Sequence, residues 1–194
     1  MENKIDTTLV TRAVIFAAQA HDGAVRKGTS IPYIVHPMEA AAIAAGLTDD
    51  PEVIAAAVLH DTVEDTTTTL DQIEAAFGPR VAELVEAESE DKRENQKAED
   101  TWELRKQETI DHLQQCTDRD VKILALADKL SNLRAIRRDY LAVGDELWDR
   151  FHQKDPEKIG WYYRSFVGAC AELDGMPAYA EYKELVEKVF GKKA

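Results

Sequence analysis

The 194-residue chain is poor in cysteine, with two, and in positive charge, with 24 Lys and Arg against 37 Asp and Glu. Cys116 and Cys170 are far apart and both fall in helical patterns, so they read as free core thiols rather than a disulfide. The formal net charge of −13 excludes non-specific binding to nucleic acid or a membrane surface, which needs a basic face. It leaves room for a small phosphorylated ligand, because a metal ion and a few lysines or arginines make one pocket positive inside an acidic protein. Long apolar runs are missing too: no stretch approaches the roughly 18 residues of a membrane span. Met1–Asp6 lacks the apolar core of a signal peptide. The expected setting is the cytoplasm. There is no internal repeat, linker or low-complexity tract, and one domain over residues 1–194 is expected.

What is there reads as helix almost throughout. Val and Ile fall at helical spacing rather than in alternation. A first helix is expected over Thr7–Ala20, ended by His21-Asp22-Gly23. Pro37 suits the first turn of a second helix that runs to Gly46. Pro51 opens a third, expected to carry the chain through Asp65. Thr69 with Gln72 forms a capping box for the next, which stops at Gly78, and Pro79 opens its successor. Glu86 to Asp100 is charged and reads as a solvated loop. A helix from Trp102 to Cys116 and another capped by Asp118 and running to Arg138 follow. Breaks near Pro156 and Pro177 divide the remainder into three helices. The aromatic residues of this tail, Trp148, Trp161, Tyr162 and Tyr163, read as core. The fold class is all-α, a compact multi-helix single domain.

The chemistry concentrates in His60-Asp61 and Glu64-Asp65, with His36 before them and Asp128 after. His60 follows the apolar run Val53–Leu59, which should be buried. Burying four ionisable groups at its end costs several kcal/mol unless something neutralises them, and a divalent metal ion does so. Four-residue spacing stacks Asp61 on Asp65 and His60 on Glu64 along a helix. Asp128 and Asn132 repeat that spacing, with Asp128 behind the apolar run Leu124–Ala127. Two imidazoles and two carboxylates suit manganese, iron, nickel, zinc or cobalt better than calcium. Four protein ligands leave positions open for water and substrate. His21-Asp22 is a second His-Asp pair, set aside because it falls at a helix end in a polar context.

These residues resemble the signature of the HD-domain metal-dependent phosphohydrolases. The segments Arg26–Pro37, Leu59–Thr66, Phe77-Gly78 and Leu126–Arg134 more closely resemble the hydrolase domain of the Rel/Spo alarmone enzymes. Among these, the small single-domain alarmone hydrolases are most similar. The resemblance implies a metal, commonly manganese, on His36, His60, Asp61 and Asp128. It implies that Glu64 and Asp65 act on the water and the scissile phosphate. Arg26 and Lys27 match positions near the nucleotide and Asn132 one near the ribose, while Lys106, Lys158 and Tyr162 are candidate phosphate and nucleotide contacts. The implied reaction removes the 3′-pyrophosphate of (p)ppGpp, giving GDP or GTP and pyrophosphate. The competing readings are another HD-domain phosphohydrolase, acting on nucleoside monophosphates or NADPH, and a nucleotide sensor without turnover. The expected partner is a small nucleotide, with no nucleic acid and no membrane; oligomeric state is left open.

Overall fold

The computed structural model describes residues 7–90, 93 and 95–191, and it is helical, with one isolated antiparallel bridge, Val25 to Pro32. The chain divides into two compact units. The first takes the residues up to Ser89 together with Asp118–Ser131; the second takes Glu90–Thr117 and the chain from Asn132 onward.

The first unit contains α1 (Thr7–Ala20), α2 (Val35–Ala45), α3 (Pro51–Leu59), α4 (Thr62–Asp65), α5 (Leu70–Phe77), α6 (Pro79–Glu88) and the first part of α8 (Arg119–Val143). Asp50 caps α3 by accepting the Glu52 N–H, with Pro51 in the first turn. Val53 and Ala55 to Leu59 have no exposed surface. The alanines let α1, α2 and α6 approach α3 closely, and Ala13 and Ala17 of α1 are equally buried. Thr69 and Gln72 close the capping box that starts α5. Gly78 sits between α5 and α6 with φ of 94°, a conformation that favours glycine.

The expected continuous helix from Pro51 to Asp65 is broken. The Thr62 hydroxyl donates to the Leu59 carbonyl at 2.7 Å, and α3 stops at Leu59. His60 and Asp61 form a turn between the two helices, and α4 restarts with the Asp65 N–H donating to the Asp61 carbonyl at 2.9 Å.

The second unit holds α7 (Ala98–Gln115), the end of α8, a 3₁₀ turn at Gly144–Arg150, α9 (Pro156–Ala169) and α10 (Pro177–Phe190). Its core is aromatic: Tyr163 stacks on Phe190 at 5.4 Å, and Trp148 lies 5.8 Å from the same ring. Trp148, Tyr162 and Tyr163 are buried as expected, whereas Trp161 is half-exposed. α7 begins four residues before Trp102, and α8 runs five residues past Arg138. The charged stretch from Glu86 is less solvated than expected. Glu88 ends α6 and Glu90 is half-buried, each engaged by basic side chains; residues 91, 92 and 94 lie outside the described residues. Both cysteines are free thiols. Among the described residues no helix is long and apolar enough to cross a membrane.

Candidate metal centre

Three elements of the first unit bring four donor atoms together. His36 lies in the first turn of α2, His60 and Asp61 form the turn after α3, and Asp128 lies on α8. The His36 Nε2 is 3.0 Å from Asp128 Oδ1 and 3.3 Å from Asp61 Oδ2. The His60 Nε2 is 3.1 Å from Asp61 Oδ2 and 3.5 Å from Asp128 Oδ1. An ion with ligand bonds of about 2.1 Å sets neighbouring donors roughly 3.0 to 3.4 Å apart, whether octahedral or tetrahedral. The four His–Asp separations fit that demand. His36, His60 and Asp128 are buried, and the donor atoms of these three lie within 4.8 Å of one another.

Both rings are turned so that Nε2 faces the acids. The His60 Nδ1 lies 2.9 Å from the Ala57 carbonyl, which only a protonated Nδ1 satisfies, leaving the Nε2 lone pair for a ligand. That Nε2 is fully buried with no hydrogen-bond partner among the described residues. The His36 Nδ1 lies 2.8 Å from the Ser131 hydroxyl, which donates in turn to Glu39 at 2.9 Å. This chain orients the ring as outer partners do in metal sites.

The charges within the cluster act on one another. Burial lowers the pKa of His60, but the carboxylates of Asp61 and Asp128 outweigh it and hold the group well above its ordinary value. Burial raises Asp61 and Asp128, yet His60 and His36 beside Asp61, and Lys129 and the imidazoles beside Asp128, hold both carboxyls well below the usual range. Lys129 pairs with Asp128 and also donates to Glu88 at 2.8 Å, so Asp128 keeps one oxygen for the imidazoles while the other meets the lysine. Burial, opposed by Lys129, pushes the Glu88 carboxyl up to about 7.

The remaining candidates divide by unit. Glu64 is half-buried on α4 and Asp65 exposed at its end. The Tyr33 hydroxyl lies 2.7 Å from Asp61 Oδ2 and 2.8 Å from Asp65 Oδ2, tying the two carboxylates together. Arg26 lies with its guanidinium 5.5 Å over the Tyr33 ring, and Lys27 is exposed on the same loop. That loop is pinned by Arg26 N–H to Ile31, Tyr33 N–H to Ala24 and a left-handed Gly28, φ 70°.

In the second unit, Asn132 follows Asp128 by four residues on α8 and is half-buried. Lys106 sits 5.0 Å over the Tyr162 ring and pairs with Glu90, which also accepts from Arg105 at 2.7 Å. Lys158 is exposed and pairs with Glu103 at 3.0 Å, and the two line a cavity of about 240 Å³ with Trp102, Glu157 and Trp161.

From sequence His21 is expected in a polar context. The structure buries it, at 4% exposure, against the Tyr33 ring at 4.8 Å, so the helix end is covered rather than solvated. It is not in the buried group of His36, His60 and Asp128. Tyr33, Ser131, Glu39 and Lys129 were not singled out individually from sequence. Their roles come from contacts spanning 28 to 95 residues, apart from the Lys129 pairing with its neighbour, and no local pattern marks them.

A family profile described as HD domain matches residues 13–153. A zebrafish (Danio rerio) protein named guanosine-3′,5′-bis(diphosphate) 3′-pyrophosphohydrolase MESH1 is 40% identical over 139 residues, 70% of this chain and 73% of that one. Its Xenopus tropicalis counterpart of the same name is 42% identical over 137 residues, 69% and 72% of the two chains. Among solved structures, one described as a metazoan ortholog of SpoT that hydrolyzes ppGpp shares the fold with a TM-score of 0.76 at 22% identity, over 97% of this chain and 99% of that one.

Proposed function

The chain belongs to the HD-domain family, and from that premise we propose that it hydrolyses the 3′-pyrophosphate of (p)ppGpp, releasing GDP or GTP and pyrophosphate. The observation that carries the reading is the four His–Asp donor pairs 3.0 to 3.5 Å apart, in a chain about 40% identical to relatives named for this reaction. His36, His60, Asp61 and Asp128 would hold a divalent cation. Manganese suits this mixed nitrogen and carboxylate set. Bound there, the cation neutralises phosphate charge and lowers the pKa of water.

The chain's own residues do the rest. A water oxygen adds to the phosphorus bonded to ribose O3′, the O3′–P bond breaks, and the water oxygen leaves in pyrophosphate. Glu64 and Asp65 stand on one short helix directly after the ligand Asp61. One takes the proton from water and the other returns a proton to the ribose oxygen. Arg26 and Lys27 offset charge on the pyrophosphate. The assignment of Asn132, Lys106, Lys158 and Tyr162 to substrate contact rests on the family resemblance. The free thiols suit the reducing cytoplasm.

The test is a substrate panel with the manganese-loaded protein: ppGpp, pppGpp, nucleoside monophosphates and NADPH. Pyrophosphate release confined to the alarmones supports the reading. Orthophosphate release from the monophosphates or NADPH, with the alarmones untouched, moves the chain to another HD-domain activity.

A further inference from the structure

The Tyr33 hydroxyl occupies a position that no part of the mechanism above uses. It faces Asp61 Oδ2 at 2.7 Å and Asp65 Oδ2 at 2.8 Å. The Asp61 oxygen it meets is the same one that faces both imidazoles. A phenol has one proton, so the two carboxylates share it, and each is held within hydrogen-bond reach of a common oxygen.

The ring itself is fixed on several sides. His21 stacks on it with centroids 4.8 Å apart and planes 32° apart. The Arg26 guanidinium lies 5.5 Å over it, and the His36 ring meets its edge at 6.0 Å. Its backbone N–H donates to Ala24 at 2.9 Å. His21 is buried, and its Nε2 makes no hydrogen bond among the described residues. A buried imidazole nitrogen left unsatisfied is costly, and the contact that the ring does make is the face of Tyr33.

We propose that Tyr33 is a positioning residue of the hydrolase site, joining the metal ligand Asp61 to the catalytic carboxylate Asp65, with His21 as the wall that holds its ring. The inference rests on the proposed function for the roles of those two carboxylates. Asp65 is exposed at the end of a four-residue helix. The phenol holds one of its oxygens beside the oxygen of Asp61 that faces the imidazoles. Outer partners of this kind are typically worth about 10- to 100-fold in metal affinity or activity.

Tyr33→Phe keeps the ring and its stacking and removes only the hydroxyl. It should lower kcat for pyrophosphate release by about 10- to 100-fold with KM changed less than about twofold, and weaken manganese binding by the protein, read by calorimetry, by about tenfold. In an Asp65→Asn background the same substitution should cost kcat less than about threefold, because its route to the chemistry is already gone. The thermal midpoint reports whether folding is intact. His21→Ala, which frees the ring without touching the hydroxyl, is a second variant and should lower kcat in the same direction by several-fold. A kcat loss for Tyr33→Phe that is equal with and without Asp65 overturns the link to Asp65. An unchanged manganese affinity overturns the link to Asp61. If the wild-type protein releases no pyrophosphate from ppGpp, the functional reading fails, and the manganese comparison still decides the Asp61 link.

Discussion

The buried Glu88–Lys129–Asp128 chain makes stability depend on pH in a direction opposite to that of most carboxylates. Burial leaves Glu88 with a pKa of about 7 in the folded chain, against an ordinary value of 4.5. The folded state therefore binds this proton more tightly than the unfolded state. Stability from Glu88 is fully present below about pH 4.5 and is lost as pH rises to about 7. At 1.36 kcal/mol per pH unit, the loss comes to about 3 kcal/mol. The side chain is 8% exposed, so solvent does little to screen it. Glu88→Gln keeps shape and hydrogen-bonding capacity and cannot ionise. Urea unfolding of metal-free wild type and variant, followed by circular dichroism from pH 4.5 to 8.5, isolates this group as the difference between the two curves. That difference should move by about 3 kcal/mol in favour of the variant across the interval, or roughly 6–12 °C in thermal midpoint. A difference that stays flat over the interval would refute the argument that burial outweighs Lys129.

Three further outcomes follow from the site. Ser131→Ala removes the hydroxyl that orients the His36 ring, and should weaken manganese binding by about 10- to 100-fold in a titration while the fold persists. Glu64→Gln and Asp65→Asn should each lower kcat by about 10²- to 10⁴-fold with manganese content within threefold of wild type; loss of the metal would instead make them ligands. Manganese at 100 times its dissociation constant should stabilise the protein by about 2.7 kcal/mol, seen as a rise in melting temperature that a chelator reverses and that Asp128→Ala does not show.

Much of the frame is legible in the chain because it is set locally. Pro51, Pro79, Pro156 and Pro177 open helices, and Thr69 with Gln72 caps one. The buried residues His60 and Asp128 stand out because His60 follows, and Asp128 ends, an apolar run in which a polar group is costly. What escapes the sequence depends on partners far along the chain or on burial. The break at His60-Asp61, where the Thr62 hydroxyl bonds the Leu59 carbonyl, is not marked by the spacing, which alone favours an unbroken helix. Glu88 sits in a charged stretch that reads as solvated, yet Lys129, 41 residues later, draws it in. His21 reads as a helix end because nothing nearby announces that Tyr33 covers it.

The most direct test of the central claim is the product balance from ppGpp with manganese-loaded protein, followed by phosphorus NMR in wild type and Asp61→Ala. The account predicts GDP and pyrophosphate in one-to-one ratio from wild type, and none from the variant or after chelation. Orthophosphate as the product, or undiminished turnover without Asp61, would contradict it.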